Sequence, residues 1–92
     1  MILKPIEVKV LYGDTDIYLY GTFIAGDGHD PTKRGDAVFD VEQVVIGETD
    51  VTECFNHLFV KCVDKQGNVT YNNIIEELVE RNWDVIVERG MR

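Results

Sequence analysis

Over residues 6–12 apolar and polar positions alternate: Ile6, Val8, Val10 and Tyr12 fall on one face, Glu7, Lys9 and Leu11 on the other. That is the period-2 signature of a strand. A β-branched and aromatic run at 17–25 follows across a Gly13-Asp14-Thr15-Asp16 turn, which predicts an antiparallel hairpin. Gly21, in the middle of the second strand, marks a bulge or a close backbone approach. Residues 26–36 hold three glycines and a proline and form the longest predicted loop. A third strand is predicted at 37–46, with Phe39, Val41 and Val45 on one face, Asp40 and Glu42 on the other, and Gly47-Glu48 ending it.

Helical spacing then takes over. Asp50 with Glu53 three residues on has the capping-box spacing, and Val51, Phe55, Leu58, Phe59 and Cys62 make one helical stripe. The alternative ends this helix at Leu58 and folds 59–63 and 68–71 into a second hairpin around Asp64-Lys65-Gln66-Gly67. The last predicted helix starts at an Asn73 cap, with Glu76 completing a second capping box, and ends with Arg89 in its final turn and Gly90 at C′. Ile75, Val79, Trp83 and Ile86 form its buried stripe, with Leu78 beside them. Val85-Ile86-Val87 is β-branched and leaves a closing strand as the alternative there. The expected architecture is one α+β domain spanning 1–92, a three-stranded antiparallel sheet followed by two helices packed on one face.

Charge narrows the function classes. Seventeen Asp and Glu against nine Lys and Arg give a net charge of −8, divided evenly between the halves of the chain, so neither an acidic tail nor a basic arm stands out. Such a field repels nucleic-acid phosphate and anionic lipid and favours basic protein surfaces. The expected partner is therefore a protein with a basic surface, and nucleic acid and membrane are not expected. Apolar residues make up 45% of the chain, which argues for a packed fold rather than disorder. No apolar run reaches the roughly 18 residues of a membrane span, and Met1-Ile2-Leu3-Lys4-Pro5 lacks the order of a signal peptide, so a cytoplasmic protein is expected. Cys54 and Cys62, set among apolar neighbours, are expected to be buried structural thiols.

No enzyme motif emerges. Asp27, His29, Asp30 and Asp36 cluster in the long loop, but their spacing matches neither a calcium loop nor a His-Glu-x-x-His helix, so no metal or cofactor is expected. Cys54 and His57 lie three apart without a third catalytic partner, and the glycines of the loop precede no phosphate-binding helix. Two binding surfaces remain. One is the acidic face of the last helix, Glu76, Glu77, Glu80, Asp84 and Glu88; the other is the sheet face with Tyr18 and Tyr20, which either packs under the helices or stays open as a contact surface.

The segment 41–52, Val-Glu-Gln-Val-Val-Ile-Gly-Glu-Thr-Asp-Val-Thr, resembles a stretch found in small, acidic, uncharacterised bacteriophage proteins. In those a strand runs through a glycine turn into Asp-Val-Thr and a helix. Here Glu48-Thr49 occupies the turn, and Glu-Cys-Phe-Asn-His-Leu replaces the aliphatic run that follows. The resemblance implies phage origin and no particular chemistry. The function expected from all of this is a non-enzymatic protein-binding module, a phage accessory protein that antagonises a nucleic-acid-handling host protein in the host cytoplasm. The alternative is a structural or assembly protein that self-associates into homo-oligomers through Tyr18 and Tyr20.

Overall fold

The computed structural model describes residues 2–26 and 37–91. Strands β1 (Ile2–Tyr12) and β2 (Thr15–Ala25) pair antiparallel in unbroken register, from Ile2 opposite Ala25 to Tyr12 opposite Thr15, around Gly13-Asp14. The predicted hairpin is present, with its first strand starting four residues earlier than the alternation suggested. Strand β3 (Ala37–Ile46) pairs antiparallel with β2, and the register slips between Tyr20 and Gly21, where Glu42 is the extra residue. The Asp40 carbonyl presses against Gly21 so closely that a side chain there would overlap it. Gly21 thus supplies the close approach read from the sequence, and the bulge lies beside it in the partner strand β3.

The bulge also re-aims β3. Past Glu42 the alternation inverts, so Val44 is fully buried while Val45 sits opposite Tyr18 on the other face. The predicted inward Val45 is thereby replaced by Val44, because a one-residue insertion flips every later side chain.

Gly47-Glu48 does not simply end β3; it turns the chain into a two-residue strand β4 (Thr49–Asp50), opposite Val45 and Ile46. The sheet is therefore four-stranded in the order β1-β2-β3-β4, rather than three-stranded. Helix α1 (Thr52–Asn56) is held to it by a clasp. The Thr52 hydroxyl accepts the Val44 N–H at 2.8 Å and donates to the Asp50 carboxylate at 2.6 Å, while the Val51 N–H reaches the Val44 carbonyl at 2.9 Å. Asp50 also accepts the Thr52 N–H at 2.9 Å, but Val51 stands at the N-cap position, so the predicted Asp50 cap is replaced by this tie within the clasp.

The expected long helix through Cys62 is not formed. α1 stops at Asn56, and β5 (Phe59–Val63) pairs with β6 (Val69–Asn73) as a separate two-stranded sheet. Turn chemistry decides this. The Asp64 carboxylate accepts the backbone N–H groups of Gln66 and Asn68, both at 2.8 Å, and Gly67 adopts φ +84°, a conformation that would break a helix.

Helix α2 (Ile74–Arg81) starts at Asn73, whose side-chain oxygen accepts the Ile75 N–H at 2.9 Å, as the capping pattern predicted. The predicted single helix is then interrupted at Asn82, whose amide donates to the Leu78 carbonyl at 2.8 Å, and resumes as α3 (Trp83–Met91). The break moves the buried stripe to Ile74, Leu78, Val79, Ile86 and Val87; Ile75 and Trp83 are only half-buried. Gly90 is not a terminal cap. It is buried within α3 against the ring of Phe23.

The three helices lie on the sheet face of Val8, Val10, Ile17, Leu19, Phe23 and Val44, all essentially inaccessible to solvent. The α+β class with antiparallel pairing is as expected, and of the two readings weighed for 59–71 the second hairpin is the one formed; the strand count of the main sheet and the third helix differ from expectation. Among the described residues, no helix is long and apolar enough to cross a membrane.

Candidate functional site

The β5–β6 hairpin places Phe59, Lys61, Val63, Val69 and Tyr71 on one face, as the pairs Lys61–Tyr71 and Val63–Val69 require. That face is left largely uncovered: Phe59 is 58% exposed, Val63 60% and Tyr71 67%. A lone two-stranded hairpin is marginal in water, so its anchorage matters. It is tied at its base, where Ile74 N–H donates to the Leu58 carbonyl and the Asn73 amide donates to the carbonyls of Phe55 and Asn56, each at about 3 Å.

Between this hairpin, α2 and β3 lies an open groove of about 840 Å³. Phe39, Asp40 and Val41 of β3 form one wall; Phe59 with Ile75 and Val79 makes the apolar part of the other. Among the described residues four carboxylates line it, Asp40, Glu76, Glu77 and Glu80, and no lysine or arginine does. Glu77 is committed: it accepts the Asn72 amide at 2.9 Å and pairs with Arg81 at 3.5 Å. The Asn72 bond holds its carboxyl below the ordinary range, with the Cys62 thiol and Arg81 acting in the same direction. Glu76 and Glu80 are exposed along the same helix.

The cysteines correct the sequence expectation, since Cys54 is exposed and Cys62 is half-buried, and both are free. Burial pushes the Cys62 thiol up, and the Glu77 carboxylate beside it pushes further. A nucleophilic thiol needs the opposite environment, so Cys62 is held protonated. Cys54 and His57 are joined only through the backbone, His57 N–H to the Cys54 carbonyl at 3.2 Å. Asp27, His29, Asp30 and Asp36 lie outside the described residues. Among the described residues, no three His, Cys, Asp or Glu side chains are grouped to hold a metal ion.

Of the acidic row expected on one helix, the break at Asn82 keeps Glu76, Glu77 and Glu80 in the groove and carries Asp84 and Glu88 away on α3, where they are exposed and line no part of it. Tyr18 and Tyr20 stand on the sheet face opposite the helices, so the packing-under reading of that face is replaced by the open one. They are half-buried among cross-strand neighbours Lys9, Glu7, Gln43 and Val45. Partial desolvation raises the Tyr20 phenol, and the nearby Glu7 carboxylate raises it further.

Sequence reasoning missed the β3 edge at Phe39–Val41 and the exposed Phe59 and Tyr71. The signal for the hairpin was in its turn, Asp64 to Asn68, which a helical stripe of five apolar residues outweighed. Compared with protein-family models, with curated proteins and with solved structures, the chain matches none.

Proposed function

We propose that this chain is a small acidic protein-binding module, not an enzyme, that takes a basic segment of a partner protein into the groove between β3, the β5–β6 hairpin and α2. One observation carries the reading: a groove with apolar walls is lined, among the described residues, by four carboxylates and no lysine or arginine. Lysine or arginine heads would meet Glu76 while their stems cover Val79 and Phe59. The resemblance of residues 41–52 to phage proteins supports a host protein as the partner, and a basic surface used for nucleic acid is the kind such a groove would occupy and antagonise.

Affinity capture from host lysate tests this, with Glu76→Lys/Glu80→Lys as the counter-bait. The expected result is a protein retained by the wild type, lost by the variant, and released as salt is raised. Proteins held equally by both baits would remove the groove from the function.

A second reading has its own support. Leu3, Ile24 and Val38 are cross-strand neighbours in one row of the open sheet face, and Leu3 is 66% and Val38 55% exposed. With Tyr18 and Tyr20 further along the face, they suit self-association, as in an assembly protein. Sedimentation of wild type against Leu3→Lys/Val38→Lys distinguishes this: a dimer lost in the variant supports it, and a wild-type monomer at high concentration removes it.

A further inference from the structure

β3 has ten residues, yet β4 pairs with only Val45 and Ile46 on its outer side. The clasp to Val51 and Thr52 occupies Val44. From Ala37 to the bulge at Glu42, no described strand lies beside that edge. Unpaired edges are templates for another extended chain, and proteins blunt them with lysine and proline. The opposite edge strand, β1, carries Lys4, Pro5 and Lys9. Residues 37–41 of β3 read Ala-Val-Phe-Asp-Val and carry none. It is also a wall of the groove, through Phe39, Asp40 and Val41.

We infer that the partner segment binds by strand addition: an extended basic chain pairs its backbone with β3 between Ala37 and Val41 and lies along the groove. This rests on the protein-binding reading above. The recognition pattern follows from the period of a strand. Alternate side chains of the added strand enter the groove between Phe39 and Val79, where a lysine or arginine stem packs and its head reaches Glu76. The intervening side chains fall on the open sheet face beside Asp40. Five residues of β3 offer roughly 17 Å of edge, the length of an ordinary strand. The occupant is thus an extended segment with a basic residue at every second position, not a basic helix.

A synthetic heptapeptide alternating Lys and Val tests the inference, beside the same peptide N-methylated at its three central residues. Methylation removes backbone donors on both edges while leaving charge and side chains in place. The unmodified peptide is expected to bind at least tenfold more tightly than the methylated one, and to slow amide exchange between Ala37 and Val41. If both peptides bind within twofold of each other and both are lost with Glu76→Lys/Glu80→Lys, strand addition is wrong and the acidic groove stands. If the unmodified peptide binds wild type no better than it binds that variant, both readings fall.

Discussion

Gly90 lies so close to Phe23 that a methyl group at its α-carbon would occupy the aromatic ring. Phe23 is completely buried, and its ring centroid stands 6.3 Å from that of Trp83, so it has little room to withdraw. Replacing a solvent-exposed helical glycine by alanine gains about 1 kcal/mol. Here the sign should reverse, with Gly90→Ala losing about 1–3 kcal/mol through overpacking. Urea unfolding midpoints read the sign directly, and the loss should shrink in a Phe23→Leu background, where the pair shares the same space. A raised midpoint for the single variant would show that α3 does not pack through Gly90.

Gly90 illustrates what could and could not be read from the chain. Local rules worked where the controlling contacts are local: the β1–β2 hairpin, the bulge at Gly21 and the Asn73 cap were all legible from alternation and residue type. They failed where a distant partner decides. Gly90 suits a helix terminus equally well until Phe23, far away in sequence, is placed beside it. The groove was half legible. Glu76, Glu77 and Glu80 were singled out, but the β3 wall was not, because an unpaired edge is a property of topology that no run of residues records.

Asn73 joins three elements at once, capping α2 through its oxygen and holding the end of α1 through its amide. Loss of an N-cap costs about 1 kcal/mol, and each lost bond to a carbonyl about as much. Asn73→Ala should therefore cost about 2–3 kcal/mol. Asn73→Asp preserves the cap and removes the two donors, so its thermal midpoint should fall between those of wild type and Asn73→Ala. An aspartate variant as stable as wild type would mean that the tie to α1 contributes nothing.

Acid should expose the carboxylate clasps. The Thr52 hydroxyl holds Asp50 below the ordinary carboxylate range, Asn68 does the same for Asp64, and the Asn72 amide for Glu77. A carboxyl with a depressed folded pKa stabilises fully above its unfolded value, roughly pH 4. That stabilisation is lost as pH falls from there through the lower folded value, because in that window the unfolded chain takes up the proton and the native state does not. The wild-type melting temperature should drop steeply below about pH 4. Asp50→Asn/Asp64→Asn should melt lower at neutral pH and drop less in acid, so that the two curves converge. Parallel curves down to the lowest pH would mean that these carboxylates are not coupled to folding.

The break at Asn82 turns one acidic face into two, and that division is testable. Glu76→Lys/Glu80→Lys alters the groove, whereas Asp84→Lys/Glu88→Lys alters α3 outside it, and both change the net charge equally. Each is a surface change, so unfolding midpoints should move by no more than about 0.5 kcal/mol. Binding should separate them. The groove variant is expected to lose at least tenfold in affinity for the Lys-Val peptide, and the α3 variant less than about threefold, since Asp84 and Glu88 line no part of the groove and exposed charges without direct contact contribute little. Isothermal titration at two salt concentrations measures both. An equal loss in the two variants would show that the whole acidic surface attracts the peptide as a diffuse field, and would return Asp84 and Glu88 to the binding surface on the same footing as Glu76 and Glu80.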